Sequence, residues 1–409
     1  MNDSLKPVVM VSSWPPRKCG IGTFAEEALE FIQKEQPERP TYVISHTDGG
    51  GNNVFPIIDI SRKDWYVPVA AKIKELDPYA VHLQHEYGLY NYVDGNGVSD
   101  NNEGFLRLLE SISDYPTVVE PHTIHGRMRE HEEEFVRRLA KVCTVLLFKC
   151  HYQKWRLEWT FSSHGWEIPH NIMIIPHGAR PDKKYAIDQV PGLKTELGLD
   201  VLQNRHVVGL VGWIQRNKRW DIVTEMWGEL HEIIKGTTGE DWVLLAAGAM
   251  RDPNDLKEYN KYVKQVELLQ EKGLAHFYKF EPRGDIYYKV MAICDFIVLP
   301  SLDETQSGTL ARVIALNKPY VTTAPLEGLT AQTLESGGGL LFTTKAMLKK
   351  RIIRLATDEG LRWELGYKLY TYLTNVVSWE KVARQYYEAY EIANREKQDC
   401  VPVALATEF

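Results

Sequence analysis

No apolar run in the chain approaches the roughly eighteen residues of a membrane-spanning helix. A transmembrane segment is therefore not expected. The opening stretch Met1–Trp14 has no long apolar centre, so a signal peptide is not expected either. Excess positive charge is also lacking. Lys and Arg number 48 against 55 Asp and Glu, a net charge of −7. That argues against nucleic acid as a main partner, because such proteins usually carry a basic footprint. Cysteine is scarce: Cys19, Cys143, Cys150, Cys294 and Cys400 are odd in number, scattered and without a CxxC pair. Neither a disulfide framework nor a zinc site is indicated, and a reducing cytoplasm is the expected location.

What the chain has is length and aromatic residues. Its 409 residues exceed one ordinary core and predict two or three domains. Trp (11) and Tyr (21) are plentiful enough to line a sugar-binding cleft or simply to fill a large core. Short apolar runs alternate with helical patterns. Strands are predicted at 7–12, 41–45, 80–84, 117–120, 145–148 and 172–175, with the first helix at about 23–33. After a polar stretch at 181–204 the pattern restarts, with strands at 206–211, 242–247, 275–278, 296–299 and 320–323 and helices at 219–235, 254–272, 286–293 and 308–316. Uninterrupted apolar strands separated by helices signify parallel sheets covered on both faces. The expected fold is α/β, two Rossmann-like domains facing each other across a cleft. The boundaries are 1–185, 186–375, and 376–409 for a C-terminal helix ending in a loose tail. Ser378 is its expected N-cap, and Trp379, Val382, Ala383, Tyr386, Tyr387 and Tyr390 form its apolar stripe.

Ligands of doubly wound sheets bind outside the carboxyl ends of the strands, and the candidate motifs fall there. Gly20-Ile21-Gly22-Thr23-Phe24 opens the first helix, where glycines admit a ligand and amides attract phosphate, or where a tight turn simply needs them. His82-Leu-Gln84-His85-Glu86-Tyr87-Gly88 ends a strand and matches no metal motif; His85 and Glu86 could bind sugar hydroxyls or serve as an acid–base pair. His122 and His125 follow another strand. Gly212-Trp213-Ile214-Gln215-Arg216-Asn217-Lys218-Arg219 sets three cations within four residues, which suits a diphosphate. In Pro300-Ser301-Leu302-Asp303-Glu304-Thr305-Gln306-Ser307-Gly308-Thr309-Leu310 a carboxylate precedes a helix start. That helix start suits phosphate, or is an ordinary N-cap. The segment 152–161 mixes cations with Trp155 and Trp159. A partly buried helix is favoured over peripheral membrane contact.

Taken in order, these motifs resemble the retaining GT-B glycosyltransferases of glycosyltransferase family 4, over nearly the full chain. Ile175-Pro176-His177-Gly178 at the hinge and the Trp379–Tyr390 helix belong to the resemblance. It implies hexose transfer, mannose or glucose, from a nucleotide-diphosphate sugar to a hydroxyl of a carbohydrate or glycoconjugate acceptor, without a metal; no DxD triplet is present. GDP-mannose and UDP-sugars are the donors considered, and no cofactor beyond that co-substrate. The resemblance implies that His122, Glu304 and Lys218 carry the chemistry. Gly20, Gly22, Arg216, Lys218, Glu304, Ser307, Gly308, Thr309, Leu310 and Arg312 would face the donor. Arg17, His85, Glu86 and His125 would face the acceptor. Two departures stand out. Trp213 occupies the place of the family's arginine, and Arg312 that of its second glutamate, eight residues after Glu304. That glutamate would grip the ribose, which a donor-only guanidinium cannot do. A sugar phosphorylase on the same fold and an inactive carbohydrate or nucleotide-sugar binder are the alternatives.

Overall fold

Val8-Val9-Met10-Val11 is apolar at every position, as a strand needs when both faces of its sheet are covered. It forms β1 (Val8–Val11) in the computed structural model, which describes residues 5–124, 128–302, 307–325 and 327–399. The chain divides into two units: Met1–Pro176 with Trp379–Phe409, and His177–Ser378. The crossings fall at 176/177 and 378/379, a little apart from the 185/186 and 375/376 expected. Glu304, His125 and the tail beyond residue 399 lie outside the described residues.

In the first unit β1 is followed by α1 (Gly20–Glu35), β2 (Thr41–His46), β3 (Val54–Ile58), α2 (Tyr66–Leu76), β4 (Ala80–His85) and α3 (Tyr87–Tyr90). Then come α4 (Glu103–Ser111), β5 (Thr117–Pro121), α5 (Glu130–Val142), β6 (Val145–Phe148), α6 (His151–Ser163) and β7 (Ile172–Ile174). The sheet is parallel throughout, in the order β3-β2-β1-β4-β5-β6-β7. Alternate strand residues face opposite sides. Val9, Val11, Leu83, Val119 and Leu146 pack with α2, α4 and α5. Val8, Met10, Val43, Val118 and Val145 pack with α1 and with residues 379–393.

The second unit runs through α7 (Val190–Glu196), β8 (His206–Ile214), α8 (Asp221–Thr238), β9 (Trp242–Met250), α9 (Leu256–Gln270), β10 (Ala275–Lys279), α10 (Gly284–Ala292) and β11 (Phe296–Leu299). It closes with α11 (Gly308–Ala315), β12 (Tyr320–Thr323), α12 (Glu327–Ser336), β13 (Gly339–Phe342), α13 (Lys345–Thr357) and α14 (Glu359–Tyr372). Its parallel order, β10-β9-β8-β11-β12-β13, is the doubly wound Rossmann order. Val207, Val211, Val243 and Ile297 face one helical layer; Val208, Leu210, Leu244 and Phe296 face the other. Ala179 N donates to Val377 O at 2.8 Å, so the two ends of this unit are tied together.

The last helix, α15 (Trp379–Asp399), returns to the first unit. Trp379, fully buried, stacks on Phe31 at 6.1 Å and meets Phe24 at 5.5 Å. Burial of a side chain of this size contributes about 3 kcal/mol. Two strands had not been expected. β3 carries Pro56, which cannot donate to a ladder and so reads as a non-strand, yet it is tolerated because β3 is an edge. β13, the other unexpected strand, is a four-residue edge strand opening on Gly339.

Candidate functional site

In an open α/β sheet the strand order reverses between two neighbouring strands, and the crevice there receives ligands. In the second unit the reversal lies between β8 and β11. β8 runs longer than expected and takes in Gly212, Trp213 and Ile214. Gly212 has φ +141, and a Cβ on its ladder partner Gly248 would lie 1.9 Å from Gly212 O. Only glycine allows that approach. The chain then makes a single 3-10 turn, Arg216–Lys218, and passes Arg219 in the left-handed region at φ 50. Leu302 N donates to Asn217 O at 2.7 Å, which ties this loop to the one after β11. Lys218 is half-buried and lines one hollow with Gly212, Ser301 and Thr309. Arg216 is exposed and does not line it. The cation and the start of α11 are therefore brought together, as an oxyanion of a diphosphate requires.

The start of α11 departs from expectation in detail. Ser307 is its N-cap, its hydroxyl accepting from Leu310 N at 3.2 Å. That amide is thus taken by the cap, and the Leu310 side chain is in the core. Gly308 is exposed, and Thr309 Oγ1 lies 2.8 Å from the Tyr287 hydroxyl. Arg312 is buried. It donates to Gly308 O at 2.8 Å and its guanidinium lies over Tyr287 and Tyr288, 5.0 and 5.4 Å from the ring centres. It pins the first turn of α11 in place and offers no acceptor.

In the first unit the reversal lies between β1 and β4. Gly20 begins α1, is exposed, and has open space where a side chain would be. Gly22 has a packing reason: a Cβ there would meet Ser13 O at 3.2 Å. Arg17 pairs with Asp48 at 3.1 Å. His85, expected beside an acceptor, is enclosed among aromatic rings. Its ring is 1% exposed, stacked on Phe135 at 4.7 Å and hydrogen bonded to Asn102 at 3.2 Å. Burial pulls it down to about 3. Glu86 caps α3, accepting from Tyr87 N, and accepts from Thr123 Oγ1 at 2.6 Å. His122 follows β5, its N–H bound to His85 O. Its ring meets Phe24 edge-on at 5.2 Å, and Nε2 lies 2.7 Å from Gln84 Oε1. Burial lowers it to about 4, the nearby Glu86 opposing and His82 adding to the shift.

Beneath His122 lies a polar cluster that sequence reasoning missed. Gln84 Nε2 donates to Glu120 Oε2 at 2.9 Å, and Glu120 forms an ion pair with Lys149. Lys149 also donates to Tyr386 OH at 3.0 Å, and the Tyr386 hydroxyl donates to Glu120 at 3.2 Å. His82 joins Glu120 at 3.0 Å to Tyr390 at 2.8 Å. Gln84, His82 and Glu120 have no exposed surface at all. The signal was present: a charged residue inside an apolar strand, as in Val118-Val119-Glu120 and Leu147-Phe148-Lys149, needs a buried partner.

Residues 205–358 match a family model described as "Glycosyl transferases group 1". No curated protein sequence matches the chain. Among solved structures, HepE of Anabaena, crystallised with UDP, superposes with a TM-score of 0.68 at 14% identity, covering 94% of this chain and 99% of that one. WaaG, a glycosyltransferase involved in lipopolysaccharide biosynthesis, gives 0.62 at 15% identity, covering 97% and 100%. A UDP-forming trehalose-phosphate synthase from Burkholderia xenovorans gives 0.68 at 10% identity, covering 95% and 99%. The fold is GT-B, and together with the group 1 match over 205–358 it indicates a glycosyltransferase enzyme.

Proposed function

We propose that the protein transfers a hexosyl group from a nucleotide-diphosphate sugar to a hydroxyl of a carbohydrate or glycoconjugate, with retention at the anomeric carbon and without a metal. The observation that carries this reading is the hollow shared by Gly212, Lys218 and Thr309 at the reversal point of the second sheet, inside the segment that matches the group 1 family. Lys218 supplies a point charge and the start of α11 supplies amides to a departing diphosphate. Arg216 adds a second charge at the mouth of the loop. Glu304 would accept hydrogen bonds from donor-sugar hydroxyls, and His122 would contact the same sugar.

In the transfer step the bond from the anomeric carbon to the diphosphate oxygen breaks. A bond from that carbon to the acceptor oxygen forms on the same face. The acceptor proton passes to the leaving phosphate oxygen. HepE was crystallised with UDP and with UDP-glucose, which makes a UDP-sugar the first donor to try, ahead of GDP-mannose. The four described cysteines are buried and form no disulfide, which suits a reducing compartment such as the cytoplasm.

Thermal-shift measurements with UDP-, GDP- and ADP-sugars identify the donor, since a ligand bound to the native state raises the melting temperature. Lys218→Ala is expected to lower transfer by at least about a hundredfold with little change in melting, the usual scale for losing one group that stabilises a developing anion. Full turnover by that variant refutes the assignment. Arg312, which cannot grip a ribose, favours one second reading, a phosphorylase that needs no nucleotide. Release of a sugar phosphate from a disaccharide and inorganic phosphate would select it.

A further inference from the structure

Gln84 has one amide oxygen and one amide nitrogen, and its surroundings decide which points where. Nε2 lies 2.9 Å from Glu120 Oε2 and 3.0 Å from His82 Nε2, and Oε1 lies 2.7 Å from His122 Nε2. The reversed amide would set its oxygen against the Glu120 carboxylate, acceptor against acceptor, at a site with no exposed surface. Glu120 is already turned to donors on its other sides, paired with Lys149 and accepting from the Tyr386 hydroxyl. The orientation of Gln84 is thus fixed by charge. Its oxygen accepts, so His122 Nε2 must carry the proton. The other ring nitrogen, Nδ1, is then an acceptor. Lys149 also reaches the neighbour of His122: its Nζ lies 4.5 Å from the centre of the Phe24 ring, which meets the imidazole edge-on.

We propose that Gln84 is a positioning residue, oriented by the buried Glu120–Lys149 pair and Tyr386, which locks His122 as the neutral Nε2–H tautomer with Nδ1 as acceptor. Resting on the reading above, this sharpens what His122 recognises: a group that donates, such as a donor-sugar hydroxyl, and not an oxyanion. The C-terminal helix takes part through Tyr386 and Tyr390, so the last element of the chain sets the tautomer of a histidine after β5.

Histidine-selective 15N labelling with long-range 1H–15N spectra reads the tautomer in the unliganded protein at pH 7. His122 is assigned by the signal lost in His122→Gln. The expected pattern is a neutral ring protonated at Nε2, turning into a tautomeric average in Gln84→Met. Glu120→Gln with Lys149→Met, which removes the ion pair as a pair, is expected to add an Nδ1–H population. A wild-type ring protonated at Nδ1, or at both nitrogens, overturns the inference. So does a Gln84→Met spectrum identical to wild type, and the wild-type spectrum decides alone if neither variant folds. With UDP-glucose as donor, Gln84→Met is expected to lose about ten- to a hundredfold in kcat/KM, the scale of one misplaced hydrogen-bonding group. If the wild type turns over no nucleotide sugar, the functional reading fails while the tautomer result stands.

Discussion

His82, His85 and His122 are buried bases with depressed proton affinity, and they make the first unit sensitive to acid. Burial lowers His82 and His85 to about 3 and His122 to about 4, from an ordinary value near 6.5. Between those limits the unfolded chain holds protons that the native state refuses. Stability is therefore full above about pH 6.5 and is lost as pH falls towards 4 and then 3. Melting curves recorded between pH 7.5 and 4.5 should fall, and His85→Phe, which fits among Phe105, Phe135 and Tyr90, should remove about one proton from the uptake on unfolding. An unchanged pH slope in that variant would count against this origin. A second prediction at this scale concerns Gly248. A Cβ 1.9 Å from Gly212 O forces β8 and β9 apart beside the Lys218 loop. Gly248→Ala is expected to cost at least about 2 kcal/mol and to lower the melting of the second unit by roughly 5 °C or more; calorimetry showing no shift refutes it.

The elements that matter most are α11 and α15. The first comes after β11, a strand at the reversal point, and is held by its Ser307 cap and by Arg312 lying back on Tyr287 and Tyr288. The second buries Trp379, Val382, Ala383, Tyr386, Tyr390 and Ala393 against one face of the first sheet. A chain ending at Ser378 would leave that face and the Glu120–Lys149 pair uncovered. It is expected to be insoluble or to lose near-ultraviolet circular dichroism, and a native-like spectrum would show that α15 is dispensable. Trp379→Ala should cost about 3–5 kcal/mol, measured by denaturant unfolding. The helix α6 shows the opposite pattern. Leu157 and Phe161 are buried while Trp155 and Trp159 are about half exposed, with Arg156 over the Trp159 ring at 4.6 Å. It is the partly buried helix that the sequence favoured. Among the described residues no helix is long and apolar enough to cross a membrane.

At the scale of the molecule the two units differ in how the chain builds them. His177–Ser378 is continuous, has its own sheet covered on both faces, and joins its ends through Ala179 and Val377. It is expected to fold when produced alone, to melt cooperatively and to bind UDP; isothermal titration calorimetry measures the last. A segment that is soluble yet binds no nucleotide diphosphate would separate folding from the proposed donor site. The first unit has no such independence, since it needs residues 379–393 from the far end of the chain.

The sequence by itself determined the parallel sheets, because a strand buried on both faces is apolar at every position and betrays itself without neighbours. It also set Gly20, Lys218 and Ser307 in the turns and helix starts that come after such strands, whereas Gly212, expected just past its strand, lies within β8. Edge strands such as β3, with Pro56, escaped because an edge tolerates what a central strand forbids. Only the tertiary structure decided what the polar residues do. His82, Gln84, Glu120 and Lys149 lie far along the chain from Tyr386 and Tyr390, 308 residues in the case of His82 and Tyr390, and the value of each depends on the others. A buried charge has meaning only through its partner, and partnership across a fold is not written in local spacing. The same holds for His85 and His122, two histidines at neighbouring strand ends: one closed into an aromatic core, the other set over a fixed amide.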